Sequence, residues 1–133
     1  MKINESDYLY LQASKIPNAG TGLFTAIKIY KDEIISIYTG EILSTRESNK
    51  RAEIGDNQYF ITLLNGKTLD SKHTPGFAKY ANDAHLSLFK NNAKIALDDK
   101  NQVCLIATKN IPQYAEIFTS YGKAYWQLHS KTF

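Results

Sequence analysis

Apolar and polar positions along this chain alternate in short runs separated by turn formers, a pattern of small strands rather than long helices. Tyr8 to Ala13 alternates weakly, Leu23 to Ala26 follows a glycine turn, and Ile34 to Tyr38 is β-branched and aromatic, so each reads as a strand. Ser44-Thr45-Arg46-Glu47 fits a capping box and predicts a helix from about Thr45 to Glu53, ended by Gly55. Tyr59 to Leu64 and Lys67 to Asp70 flank Asn65-Gly66, a dipeptide suited to the left-handed angles of a two-residue hairpin turn. After Pro75-Gly76 a helical turn is expected through Phe77 to Ala81, and Asn92 to Leu97 with Gln102 to Ala107 form a second hairpin around residues 98–101. Ile111-Pro112 breaks the pattern, Ile117 to Ser120 is the last strand, and Tyr125 to Leu128 starts a terminal helical turn. The sum is one mainly β domain of several small sheets with short helices.

A length of 133 residues suits one domain with a single core. The net charge of +3 gives no case for nucleic-acid binding, which needs a basic stripe or a markedly basic domain. One cysteine, Cys104, excludes an internal disulfide and any zinc site of several thiolates; within Val103-Cys104-Leu105-Ile106 it reads as a small core hydrophobe in a reducing compartment. His73, His85 and His129 have no ligand-like spacing, so no metal is expected. The N-terminus lacks the apolar run of a signal peptide and no stretch has the ~18 apolar residues of a membrane span. The expected location is intracellular, in cytoplasm or nucleus or after delivery to a host cell.

Four short segments carry the candidate chemistry. Asn18-Ala19-Gly20-Thr21-Gly22-Leu23-Phe24 places glycines where backbone can approach a ligand, although such a pair before a strand is more often only a turn, and the spacing fits neither a dinucleotide fingerprint nor a phosphate loop. Tyr38-Thr39-Gly40-Glu41 ends a strand on an aromatic ring. Phe77-Ala78-Lys79-Tyr80-Ala81-Asn82-Asp83-Ala84 combines a cation, an amide and a carboxylate, and Ala115 to Trp126 ends a β-type run at Tyr121-Gly122. Tyr59 and Phe60 point to opposite faces if both lie in a strand, so cross-strand pairing in the core is an alternative for one of them.

In this order the four segments resemble the SET domain, the fold of a large class of S-adenosylmethionine-dependent protein lysine methyltransferases. The likeness runs from about Tyr8 to Trp126, implying a single SET-like domain over residues 1–133 with a short tail at 127–133, and a β-clip type fold with a threaded C-terminal segment. It implies that Ala19, Gly20, Thr21 and Gly22 meet the methionine part of the cofactor through the backbone. Lys79, Tyr80, Asn82 and Asp83 fall on the family's Arg-Phe-Ile-Asn-His-Ser element, which fixes both ends of the cofactor. Lys79 and Asp83 replace its arginine and histidine, and Asn91-Asn92 keeps half of its later Pro-Asn pair. Tyr121 would be the catalytic tyrosine and also touch the cofactor, Trp126 would give an aromatic face for adenine, and Tyr38, Tyr59, Phe60 and Tyr121 would be the walls of the channel for the substrate lysine.

Such a transfer needs an uncharged amine, whereas a free lysine, with a pKa of ~10.4, is protonated at neutral pH. A buried channel beside a positive sulfur penalises the ammonium. Tyr121 and Tyr38 are therefore assigned to aiming and electrostatic support of the nitrogen, not to general-base catalysis. The expected partner is a protein bearing a lysine, a histone or another. With no cysteine-rich flank, either the short tail or a second copy in a homodimer would close the site, the balance favouring the homodimer. The alternative function is a SET-like cofactor- or protein-binding module with weak or no turnover, for which Lys79 and Asp83 are the motive.

Overall fold

The computed structural model describes residues 4–63, 67–100 and 102–120. Nine strands form three antiparallel sheets of three. β1 (Leu9–Ala13), β2 (Thr21–Thr25) and β9 (Glu116–Ile117) lie in the order β1-β2-β9. β3 (Ile34–Ile37), β7 (Ala93–Leu97) and β8 (Val103–Ala107) lie in the order β3-β8-β7, and β4 (Glu41–Leu43), β5 (Phe60–Thr62) and β6 (Thr68–Asp70) in the order β4-β6-β5. The helix α1 (Thr45–Glu53) joins β4 to β5, and short 3₁₀ turns cover Glu5–Asp7 and Ala78–Tyr80.

The core joins the first two sheets. Leu9, Leu23, Ile35, Leu105 and Ile117 interlock there, and Ile29 and Ile111, which bridge the two connecting segments, seal one end. Ala78, Ala81 and Ala93 lie in the same cluster, where their small side chains let backbone approach backbone. Cys104 is fully buried on β8 and its Sγ meets the Ala96 carbonyl at 3.5 Å, the role of a core hydrophobe; burial raises its thiol pKa.

Most local readings hold, and the departures have physical causes. α1 begins and ends as expected: Ser44 Oγ accepts from Glu47 N at 3.2 Å. At its far end Gly55 takes φ +76°, with Gly55 N donating to Ala52 O and Asp56 N to Arg51 O, a Schellman stop. The hairpin of β5 and β6 exists, but its register pairs Thr62 with Thr68, and Leu63 N donates to Lys67 O. The connection is therefore three residues, 64–66, not the two of an Asn-Gly turn; those residues lie outside the described set. The last strand is shorter than expected, because only Glu116 and Ile117 pair with β2. Phe118 and Thr119 turn instead to isolated parallel bridges with Asn82 and Ala93. β4 was not anticipated, and the terminal turn at Tyr125 to Leu128 lies outside the described residues.

Candidate active site

Segment 116–119 organises one side of the site. It pairs with β2 on one edge, while the two ends of the 82–93 segment hold it on the other: Thr119 N donates to Asn82 O at 2.9 Å, and Asn92 and Ala93 N–H groups both donate to Phe118 O at 3.0 Å. Asn92 adds a second grip. Its Oδ1 accepts from Phe118 N at 2.8 Å and its Nδ2 donates to Glu116 O at 3.0 Å, so one amide side chain stands in for a stretch of strand partner.

Glu116 then shapes the glycine turn. Its carboxylate is buried, accepts from Ser14 Oγ at 2.6 Å and from Lys15 N at 2.7 Å, and passes directly over Gly22. A Cβ at Gly22 would stand 2.4 Å from Glu116 Oε2, so the glycine is required for this close approach. Gly20 serves differently, holding φ +74° with no atom near its missing side chain. Asn82 completes the frame by donating from Nδ2 to Thr21 O at 3.0 Å, which fastens the turn to the element after the second 3₁₀ segment.

A cavity of about 590 Å³ opens against this frame, within the roughly 300–1,000 Å³ typical of small-ligand sites. Ala19, Gly20, Thr21, Lys79, Tyr80, Asn82 and Asp83 all line it; Gly22, of the same predicted group, sits behind under Glu116. Asp83 is largely buried, and its Oδ1 accepts from His85 N at 2.9 Å and Asn91 Nδ2 at 3.1 Å, which folds residues 83–91 over the cavity edge. Lys79 Nζ donates to the carbonyls of Thr74 at 2.7 Å, Ser71 at 3.1 Å and Lys72 at 3.3 Å, and lies 5.3 Å from the Tyr80 ring centre and 5.9 Å from that of Tyr59.

A second cavity of about 250 Å³ adjoins the first, lined by Tyr38, Tyr59, Phe60, Ile61 and Ile95 among others. Gln58, Tyr59 and Lys79 belong to both walls, so the two spaces meet at these three side chains. Tyr38 is half-buried against the core, and desolvation holds its pKa well above the ordinary phenol value. It is therefore a neutral hydroxyl at any physiological pH, able to donate or accept a hydrogen bond but not to act as a phenolate base. Tyr59 and Phe60 do not divide between core and cavity, the alternative open for one of them. Both line the smaller cavity, because β5 begins only at Phe60 and strand alternation does not extend back to Tyr59. Tyr121 and Trp126 lie outside the described residues.

Three contributors escaped the sequence reading. Gln58, at the junction, is held by Nε2 donating to Gly55 O at 2.8 Å, so the helix stop that was legible also places this side chain. The left-handed Asn18, φ +65°, carries the turn into the larger cavity. Glu116 carried no local sign of its role, since Ser14 and Lys15 lie about a hundred residues away in sequence.

Comparison with known proteins places this geometry in a family. The SET domain matches over residues 20–122. Histone-lysine N-methyltransferase mes-2 of Caenorhabditis elegans is 33% identical over 102 residues, covering 74% of this chain and 11% of the relative. Histone-lysine N-methyltransferase EZA1 of Arabidopsis thaliana is 32% identical over 107 residues, and EZ2 of Zea mays 33% over 107, each covering 77% of this chain and 12% of the relative. The chain thus spans about a tenth of the length of these curated relatives.

Proposed function

This chain belongs to the SET domain family, and on that premise we propose that it is an S-adenosylmethionine-dependent protein lysine N-methyltransferase whose two adjoining cavities receive the cofactor and the substrate lysine. The observation that carries the reading is the meeting of those cavities at Gln58, Tyr59 and Lys79. One takes in the turn at 19–21, the other is lined largely by aromatic and aliphatic side chains, and a two-substrate transfer needs two adjoining spaces.

The residues of the larger cavity suit the cofactor. Gly20 leaves open space at the turn, the backbone of residues 19–21 is presented to the cavity, and Tyr80 and Asp83 offer an aromatic face and a carboxylate to a ligand that is aromatic at one end and cationic at its centre. When bound there, S-adenosylmethionine supplies an electrophilic methyl group on a positively charged sulfur. The smaller cavity would take the aliphatic stem of a lysine between Tyr59, Phe60 and Ile95, strip water from its ammonium and so favour loss of the proton to solvent. Tyr38, fixed as a neutral hydroxyl, would aim the nitrogen lone pair, with Tyr121 as its counterpart from the C-terminal segment. Alignment of this kind accounts for up to roughly 7–11 kcal/mol of a barrier in favourable cases. A protein lysine is the proposed substrate, histones among the candidates given the names of the relatives, and the proposed setting is intracellular.

A binding module without turnover is the second reading. It is favoured by one observation: the cation in the place of the family's arginine donates to three loop carbonyls. The two readings separate by experiment. S-adenosylmethionine at about 100 times its dissociation constant should stabilise the fold by about 2.7 kcal/mol, visible as a melting shift. Absence of that shift sinks the first reading, while a shift without transfer to any lysine-bearing protein favours the second.

A further inference from the structure

Lys79 stands at the one place where both cavities and the short strap after β6 converge. Its three ammonium protons are directed at the carbonyls of Ser71, Lys72 and Thr74, so the charge is fixed in position. The strap is itself tied down: Thr39 Oγ1 donates to Pro75 O at 2.6 Å and Thr74 Oγ1 donates to Thr39 O at 2.8 Å. Carbonyls solvate a cation without neutralising it, and among the described residues no carboxylate pairs with Lys79.

Other charged and titratable groups stand around it. Lys72, on the strap, pairs with Asp56, and Arg51 pairs with the buried Asp70 and with Glu41. His73 lies on the strap, Tyr59 and Tyr80 face the ammonium with their rings, and Tyr38 closes the smaller cavity as a neutral phenol. Across the larger cavity stand His85 and Asp83, the latter with Oδ1 committed to His85 N and Asn91.

Resting on the methyltransferase reading, we propose that Lys79 is an electrostatic discriminator: its fixed charge disfavours a second cation at the junction, so the site favours an uncharged amine on the channel side and an uncharged sulfur on the cofactor side. Charges about 10 Å apart at an effective dielectric of about 20 interact strongly enough to move an equilibrium roughly tenfold. The consequence is a site that promotes loss of the substrate proton to water and retains its thioether product, S-adenosylhomocysteine, more tightly than the sulfonium it started from. Lys79 acts here as a positioning charge, not as a catalytic residue.

The test compares calorimetric affinities for S-adenosylmethionine and S-adenosylhomocysteine in the wild-type protein, Lys79→Met, Lys79→Gln and Lys79→Arg. A merely structural role would weaken both ligands alike. The expected result is a shift of about tenfold in the affinity ratio toward S-adenosylmethionine in the two neutral variants, and a wild-type ratio in Lys79→Arg. An unchanged ratio in a folded neutral variant overturns the inference while leaving the methyltransferase reading intact. Failure of the wild-type protein to bind either ligand refutes that reading, and the inference with it. Should both neutral variants fail to fold, the wild-type ratio measured against salt decides: the preference for S-adenosylhomocysteine should shrink as ionic strength rises, and a flat response overturns the proposal.

Discussion

The two cavities are built by opposite means. The larger is lined by the turn at 16–21 and by residues of the 79–85 segment, and its frame is held by hydrogen bonds between segments distant in sequence: to Glu116 under the turn, from Asn92 along segment 116–119, and from Asn82 onto Thr21. The smaller is walled by the residues of β5 with Tyr38, Tyr59 and Ile95, and the sheet that holds β5 is secured by ion pairs from Arg51 to the buried Asp70 at 2.7 Å and to Glu41 at 3.2 Å. A frame held by hydrogen bonds between distant segments keeps its shape only while those bonds persist, whereas a wall made by one short strand and its neighbours changes with each substitution. On the proposed function, the first would serve the cofactor and the second the substrate.

That contrast breaks most sharply at the tyrosines. Tyr121→Phe, which keeps the ring and removes the hydroxyl, is expected to lower turnover about 100-fold while cofactor affinity stays within about twofold, as measured by steady-state kinetics and calorimetry. Equal losses in both would mean that Tyr121 serves the cofactor wall. On the other side, Glu116→Ala leaves Ser14 Oγ and Lys15 N without their buried acceptor. It should cost about 2–3 kcal/mol in denaturant unfolding, and cofactor affinity should fall with it. A variant as stable as wild type would show that the carboxylate does not hold the turn.

Asn82→Ala is the milder test of the same wall. Loss of the bond to Thr21 O is expected to cost about 1 kcal/mol and to weaken the cofactor several-fold, with intact affinity arguing against this fastening. The smallest effect concerns acid. Hydrogen bonding from Arg51 holds Glu41 below its ordinary 4.5, and hydrogen bonding from Lys72 holds Asp56 below 3.8. Both carboxylates are less basic folded than unfolded. Their contribution is therefore present above about pH 4.5 and is lost as pH falls through the lowered folded values. Melting followed from pH 6 to roughly pH 3 should show a modest decline, with the larger cavity's ligand still bound at the upper end of that range.

The sequence was most legible where a structure is specified by neighbours. Ser44 and Gly55 bracket α1 at both ends, Gly20 marks the turn, and the hairpin of β7 and β8 follows from its flanking apolar runs. β4 has three residues, too few for a period to register, and it exists because Glu41 to Leu43 find β6. The short β9 and the bridges at Phe118 and Thr119 depend on residues 82 and 92–93, a pairing no local pattern encodes. Asn65-Gly66 suggested the right hairpin with the wrong loop length, because cross-strand pairing set the register and the turn followed it. In the site Ala19, Gly20, Thr21, Lys79, Tyr80, Asn82 and Asp83 share one cavity wall and Gly22 sits behind it, while Tyr121 and Trp126 lie outside the described residues. Gln58 stayed hidden because a lone polar residue before a strand has no signature until the junction it occupies is formed.

The most direct test of two meeting cavities that perform transfer is intact-mass spectrometry of lysine-bearing proteins, histones included, after incubation with this protein and S-adenosylmethionine, with mapping of the modified residue. The expected result is a cofactor-dependent methyl gain on a lysine side chain, formed far more slowly by Tyr121→Phe. A protein that binds S-adenosylmethionine yet adds no methyl group to any lysine across such a set would contradict it.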